Sequence, residues 1–398
     1  MNTTSTICMA ANPQNESMRI VLYDRYLVLA IVGLLSLSLL MVYSTSMVIS
    51  ERFYGQPYHH LIRHAAHLLV GLIAASIVMR IELDKWQEYS GALLMASLIL
   101  LVLVLIPGIG REVNGSMRWI GFSFIGMQVS ELAKLATIIF LAGYLVRREE
   151  EFKNHLTGFI KPILIVCVVC ALILKEPDFG AAAVIMLTAL GIMFLAGVRI
   201  WQFVLLLGLA GTAMGILAVS SAYRLARLTT FLNPWANPFD SGYQLTQSLI
   251  AFGRGGWFGV GLGESVQKLF YLPEAHTDFL LAVIAEELGL VGVLFILCLF
   301  SLLVARTLII GRKSYLQKRF FSAYVAYGFG LWIALQAMIN VGVNMGVLPT
   351  KGLTLPLMSY GGSSLLVMCI SIGILFRIDY ESRLIACGLR KLKNNRRV

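Results

Sequence analysis

Ten long apolar runs constrain this chain more than any other feature of its sequence. They fall at roughly 26–49, 61–79, 89–106, 131–146, 160–175, 179–197, 201–220, 279–304, 321–343 and 363–377. A helix needs about 20 mostly apolar residues to cross a bilayer. Inside lipid every backbone N–H and C=O must be satisfied within its own segment, so such runs read as helices. The expected fold class is all-α: a polytopic integral membrane protein of about ten transmembrane helices. Gly and Pro at Pro107-Gly108, Pro177 and Gly361-Gly362 mark the breaks. Only 13% of the 398 residues are charged and 58% are hydrophobic, against about 25% charged in a soluble domain. An ordinary soluble fold is thereby excluded. The first 25 residues are polar and the first apolar run is long enough to span, so that run reads as an uncleaved signal anchor rather than a cleaved signal peptide.

The net charge of +11 could suggest a nucleic-acid partner, but its placement argues otherwise. With the N-terminus in the cytoplasm, most Lys and Arg fall in cytoplasmic segments: Arg19 and Arg25, Arg80 and Lys85, Arg147 to Lys161, Arg199, Arg306 to Arg319, and Arg377 to Arg397. Topology explains the basic excess, and no nucleic-acid partner is expected. Both termini should be cytoplasmic. The cluster Arg390, Lys391, Lys393, Arg396 and Arg397 suits an anionic lipid surface, with a docking site for a cytoplasmic partner as the other reading. The organisation is then a cytoplasmic tail over 1–25, a ten-helix membrane domain over 26–377 and a basic cytoplasmic tail over 378–398. Within the domain, 221–278 forms one long outer loop. Its aromatics and glycines (Trp235, Tyr243, Trp257, Gly259, Gly261, Gly263) do not have a disordered composition. Of six cysteines, Cys8 and Cys387 lie in the tails and the rest in apolar runs. No disulfide framework is expected, and the Cys167/Cys170 pair reads as helix packing.

This topology gathers an unusual polar set on the outer side. Arg111, Asn114, Arg118 and Trp119 follow the third run, and Gln128, Ser130, Glu131 and Lys134 open the fourth. Lys175, Glu176 and Asp178 cap the fifth. Arg224, Arg227, Gln244, Arg254 and Lys268 lie in the long loop. Glu274, His276, Asp278, Glu286 and Glu287 surround the start of the eighth run, and Asn340, Asn344 and Lys351 the end of the ninth. Ionisable groups at a membrane boundary are costly and point to function. Glu131 and Lys134, three apart, can pair on one helix face, which would serve packing as well as a site. Asp278 and Glu286 are eight apart, just over two turns, so they should share a helix face. Asp278 could also be only that helix's N-cap. Cations beside carboxylates suit a polyanionic ligand, because Arg grips phosphate bidentately. A carboxylate base next to a phosphate clamp is what glycosyl transfer from a sugar diphosphate requires.

The motifs NGSMRWI (114–120), QVSELAK (128–134), EPDFG (176–180), the NPW…GYQLTQSLIAFGRGGWFGVGLGESVQK block (233–268), YLPEAHTDFLLAVIAEELG (271–289) and LPTKGLTLPLMSYGGSS (348–364) resemble those of the SEDS family, the FtsW/RodA/SpoVE group of bacterial cell-wall polymerases. The PTKGLTLP stretch with Lys351 is closer to the division members than to the elongation members. The resemblance implies a peptidoglycan glycosyltransferase that polymerises lipid II in the bacterial inner membrane at the division septum. Its implied partners are a class B penicillin-binding protein, the septal transpeptidase, and other division-complex membrane proteins. It also implies that Asp278 is the catalytic base. On this chain's own residues, Arg111, Arg118, Lys134, Arg224, Arg227 and Lys351 are candidates for the diphosphate clamp. Glu131, Glu176, Asp178, Gln244, His276, Glu286, Ser359 and Gly361 are candidate supporting residues. No metal ligand is assigned, although a divalent cation, Mg or Mn, could bridge Glu131, Asp178 or the diphosphate. The alternatives are a lipid II flippase, which would spread important charges over both sides, and a non-catalytic division scaffold.

Overall fold

The computed structural model of the chain describes residues 23–113, 116–121, 126–219, 230–240, 242–349 and 352–387. The apolar runs become helices: α1 (Arg25–Tyr54), α2 (His59–Val78), the short α3 (Leu83–Glu88), α4 (Ser90–Val104), α5 (Val129–Arg147), the short α6 (Glu149–Asn154), α7 (Leu156–Lys175), α8 (Phe179–Leu195), α9 (Ile200–Val219), α10 (Tyr243–Gly255), α11 (Leu280–Leu316), α12 (Phe320–Asn344) and α13 (Gly362–Ala386). Among the described residues, seven helices are long and apolar enough to cross a membrane, and shorter apolar helices stand at Ser90–Val104, Phe179–Leu195 and Ile200–Leu209. All ten coincide with the expected runs.

Local chemistry sets several ends. Asp24 caps α1, its carboxylate accepting the Tyr26 and Leu27 N–H groups at 3.0 and 3.1 Å. Gly55 closes that helix in the left-handed conformation. Between α4 and α5 the chain forms a three-stranded antiparallel sheet of β1 (Gly110–Val113), β2 (Ser116–Ile120) and β3 (Met127–Gln128), with Arg111 opposite Trp119 and Trp119 opposite Gln128. In the packed bundle α2 lies along α13, α11 against α12 and α1, α5 against α4, and α8 against α12 and α7.

The last helix runs to Ala386 instead of ending near 377. Its extension carries the ion pairs Arg377–Glu381 and Arg383–Asp379, each one helical turn apart at 2.8 Å. Asp379 also accepts the Asp24 N–H at 2.9 Å, and Arg306 from α11 closes on the Asp24 carboxylate. These charges knit the starts and ends of α1, α11 and α13 at the side expected to face the cytoplasm. Buried polar residues that satisfy one another in this way can replace apolar packing at a helix end.

The eighth span departs most from a simple helix. Gly289 breaks α11 with φ 67° and ψ −166°, a region open essentially to glycine alone. Backbone from the outer loop enters the break. The Leu290 and Val291 N–H groups donate to the Gly256 and Trp257 carbonyls at 3.0 and 3.1 Å. In return Val260 and Gly261 donate to the Glu286 and Glu287 carbonyls at 2.9 and 3.1 Å. Irregular backbone at membrane depth is tolerated where protein supplies its partners, and here the loop supplies them. A Cβ at Gly289 would collide with the Gly259 nitrogen and the Trp257 carbonyl group. Gly289→Ala is therefore expected to destabilise the protein by on the order of 2–3 kcal/mol. Thermal unfolding in detergent measures this, and an unchanged midpoint would count against the threaded loop.

Candidate active site

The turn from Leu272 to Phe279 delivers Asp278 to the mouth of the buried half-helix 280–288. Phe279, not Asp278, occupies the N-cap position, and among the described residues no side chain caps that end. This corrects two expectations. Asp278 is not a capping residue, and it does not share a helix face with Glu286, because it precedes the helix. Its position is held by backbone: Asn340 and Asn344 of α12 donate their side-chain amides to the Asp278 carbonyl at 2.9 and 3.0 Å. Burial, then the neighbouring Glu274 and Asp178 carboxylates, push the Asp278 carboxyl up to about 7, with Arg118 opposing them. A carboxylate with that balance is suited to accept a proton near neutral pH.

Asp178 and Glu176 share the α7–α8 connection. Asp178 caps α8, accepting the Ala181 N–H at 3.0 Å, and its other oxygen accepts from Ser130 at 3.2 Å and from Gln128 at 3.3 Å. Glu176 is fully buried, and among the described residues neither carboxylate oxygen has a hydrogen-bond partner. Burial, then Asp178, push it up to about 8, against the pull of Arg118. Arg118 straps this connection by donating to the Glu176 and Pro177 carbonyls at 2.9 and 2.8 Å. The linkage has a definite sign. Between about 4.5 and 8 the folded chain retains a proton on Glu176 that the unfolded chain gives up, so stability falls as pH rises through that window. Glu176→Gln should flatten the fall of the unfolding midpoint with pH. Some slope remains, because Asp278 shifts in the same direction. Equal slopes in both proteins would mean that Glu176 is charged in the fold.

Lys134 and Glu131 pair at 2.8 Å deep in the bundle. The Lys134 amine also donates to Gln336 at 2.9 Å and lies 5.2 Å from the Trp332 ring centroid. Lys134 thus faces α12 rather than an outer surface. Glu286, expected near Asp278, instead fastens the long loop. It accepts from Arg254 at 2.9 Å, from the Val266 and Gln267 N–H groups at 3.1 and 3.3 Å, and from the Ser265 hydroxyl. Arg111 is exposed on β1 and Gln244 is half-buried on α10. Ser359 accepts the Leu355 N–H at 2.9 Å, and Gly361 is the residue before α13. Arg224, Arg227, Lys351 and Asn114 lie outside the described residues. As for a divalent cation, one Glu131 oxygen pairs with Lys134 and both Asp178 oxygens accept from protein donors. Among the described residues no group of three or more His, Cys, Asp or Glu is arranged to hold a metal, so these residues do not fit one.

The structure gathers residues that the motifs did not single out. Four of the chain's six histidines, His59, His60, His64 and His67, lie on α2, with His60 beside His276 and His64 beside Tyr360. The His60 ring lies 5.4 Å from His276 and 5.3 Å from Tyr360, and the Tyr360 N–H donates to the His276 carbonyl at 3.0 Å. An aromatic cluster therefore braces the turn that carries Asp278. Repeated histidines in an apolar run were the available signal.

The family described as "Cell cycle protein" (FtsW/RodA/SpoVE) matches residues 25–384. The chain belongs to the FtsW/RodA/SpoVE family. It is 55% identical to a "Probable peptidoglycan glycosyltransferase FtsW" of Legionella pneumophila, over 98% of this chain and all of the relative. A protein of the same description from Coxiella burnetii is 57% identical over 90% of this chain and 97% of its own. Among solved structures, RodA of Thermus thermophilus is similar with a TM-score of 0.67 at 28% identity, over 90% of this chain and 97% of that one. A chain from a structure described as "Structural coordination of polymerization and crosslinking by a peptidoglycan synthase complex" reaches 0.74 at 28% identity, over 91% of this chain and 99% of that one. These likenesses, spread over nearly the whole chain, agree with a multi-pass membrane protein.

Proposed function

We propose that this chain is a peptidoglycan glycosyltransferase that polymerises lipid II at the division septum, with Asp278 as general base. The observation that carries the chemistry is a half-buried carboxylate, pushed up to about 7, at the outer mouth of a membrane bundle with Arg118 beside it. The names of full-length relatives above 50% identity support the reaction class. In the reaction, the Asp278 carboxylate takes the proton from the 4-hydroxyl of the acceptor N-acetylglucosamine. That oxygen bonds to the anomeric carbon of the donor N-acetylmuramic acid with inversion. The bond from that carbon to the diphosphate oxygen breaks, and undecaprenyl diphosphate leaves. Negative charge grows on the diphosphate as the bond opens, which is where cations lower the barrier.

Arg111 and Arg118 are the clamp candidates within the described residues, joined in the proposal by Arg224, Arg227 and Lys351. Lys134 is proposed to act from the interior, by holding α5 to α12. A class B penicillin-binding protein is the expected partner, in keeping with the synthase complex among the similar structures. The outer face should be periplasmic and both termini cytoplasmic. The test is to give the purified protein, with its septal class B partner, labelled lipid II and to look for glycan polymer on a gel. Polymer supports the enzyme. Its absence from a verified complex, together with transbilayer movement of lipid II in vesicles, would support the flippase instead. Neither polymer nor movement would leave a scaffold.

A further inference from the structure

One face of α12 carries Trp332, Gln336, Asn340 and Asn344 at intervals of four, so they stack along a single stripe of the helix. Gln336, Asn340 and Asn344 are buried. Together they fasten several pieces of the site, with Asn340 and Asn344 meeting on one carbonyl. The Gln336 oxygen accepts from Lys134 at 2.9 Å and from Trp332 at 2.8 Å, while its amide donates to the Thr354 carbonyl at 3.0 Å. The Asn340 amide donates to two carbonyls at once, Leu353 at 2.6 Å and Asp278 at 2.9 Å. The Asn344 amide donates to Asp278, and its oxygen accepts the Ala282 N–H at 3.2 Å. The segment after Lys351 is thereby drawn against Asp278: a Cβ on Gly352 would stand 3.1 Å from the Asp278 carboxylate.

We propose that Asn340 is a positioning residue for glycosyl transfer, setting the Asp278 carboxylate by clamping its backbone carbonyl to the Leu353 carbonyl. This rests on the reading of Asp278 as the base. The physical reason lies in what holds that carboxylate. Among the described residues no hydrogen bond to it is recorded, so its direction follows from its backbone. The backbone in turn is held by two buried amides on a rigid helix. A general base must sit within hydrogen-bond reach of the proton it removes, and a misplacement of about 1 Å can cost about 10²-fold in rate. Asn340 is suited to this because one NH₂ group carries two protons, one for each carbonyl. A hydroxyl carries one, and an aliphatic side chain none.

The experiment measures kcat and KM for lipid II polymerisation by the complex with the septal class B partner, for wild type, Asn340→Leu and Asn340→Ser. Folding is checked by gel filtration and by co-purification of the partner. Positioning predicts kcat lower by about 10²-fold in Asn340→Leu, a smaller loss in Asn340→Ser, and little change in KM, since the cations that would hold the diphosphate are untouched. Should Asn340→Leu not fold, Asn340→Ser is read alone, because one hydroxyl cannot serve both carbonyls. Wild-type kcat in a folded variant overturns the proposal, as does a rise in KM at constant kcat. Asp278→Asn is measured in parallel. If it keeps full activity, the base reading fails by itself. If it loses activity while Asn340→Leu and Asn340→Ser keep wild-type kcat, the base reading stands and the positioning proposal fails by itself.

Discussion

Asp278→Asn should abolish glycan polymer while leaving a folded, partner-bound protein. Removing a general base costs about 10²–10⁴-fold, which puts the product below detection on a gel. The fold should survive, because Asn340 and Asn344 hold the backbone carbonyl of residue 278 and not its carboxylate. An Asn at this position keeps that carbonyl and the shape of the side chain. Stability should be unchanged or slightly higher above neutral pH, where the wild-type carboxylate carries a charge that burial and the nearby Glu274 and Asp178 oppose. The wild-type rate should also rise with pH through about 7, as the carboxyl gives up its proton and becomes a base. A variant that polymerises normally would remove Asp278 as the base and turn attention to Glu176 and Asp178. A flat pH profile across neutrality would weaken the assignment even if the variant were dead.

The largest expected effect on stability is at a buried ion pair between the outer loop and α11. Lys268 of the outer loop and Glu287 of α11 pair at 2.8 Å with almost no exposure of either side chain. Ser44 of α1 donates to Glu287 at 2.7 Å, and the Lys268 amine also donates to the Gly263 carbonyl at 2.6 Å and to Ser44 at 3.1 Å. Three distant parts of the chain meet on one buried ion pair. Glu287→Leu leaves the ammonium buried without its counter-charge and is expected to cost about 3–5 kcal/mol, as is Lys268→Met for the stranded carboxylate. The double substitution Glu287→Leu/Lys268→Met should recover most of the loss, since an apolar pair of similar volume can replace a buried ion pair at little cost. Unfolding midpoints of the four proteins in detergent complete the cycle. Additive losses would show that the two charges are not paired in solution.

Asp278 stood out because a carboxylate next to a long apolar run is costly, and the motif around it pointed to the base. The ten apolar helices followed from hydropathy, and the proposed orientation from the placement of Lys and Arg. Glu131 and Lys134 paired as their spacing of three allows. Glu286 lies on no shared face with Asp278, since a spacing of eight places two residues on one helix face only if both lie in the helix, and the chain enters α11 after Asp278. The stripe of Trp332, Gln336, Asn340 and Asn344 was open to view as polar residues every fourth position in an apolar run. What the stripe holds was not, because its partners at 278, 282, 353 and 354 come from other segments.

Hydropathy, charge bias and helical spacing are sums over neighbours in the chain, so span positions, the expected orientation and the suspicion attached to Asp278 could be read without coordinates. The break at Gly289 required more. A glycine in an apolar helix is ordinary, and only the outer-loop backbone threading into α11 makes it necessary. The same holds for the buried charges. Glu286 and Glu287 are adjacent in sequence, yet one anchors Arg254 and the Ser265–Gln267 turn while the other meets Lys268 and Ser44. Burying a charge fixes that it must find a partner, but the choice of partner is made by which segments the bundle brings within hydrogen-bond distance.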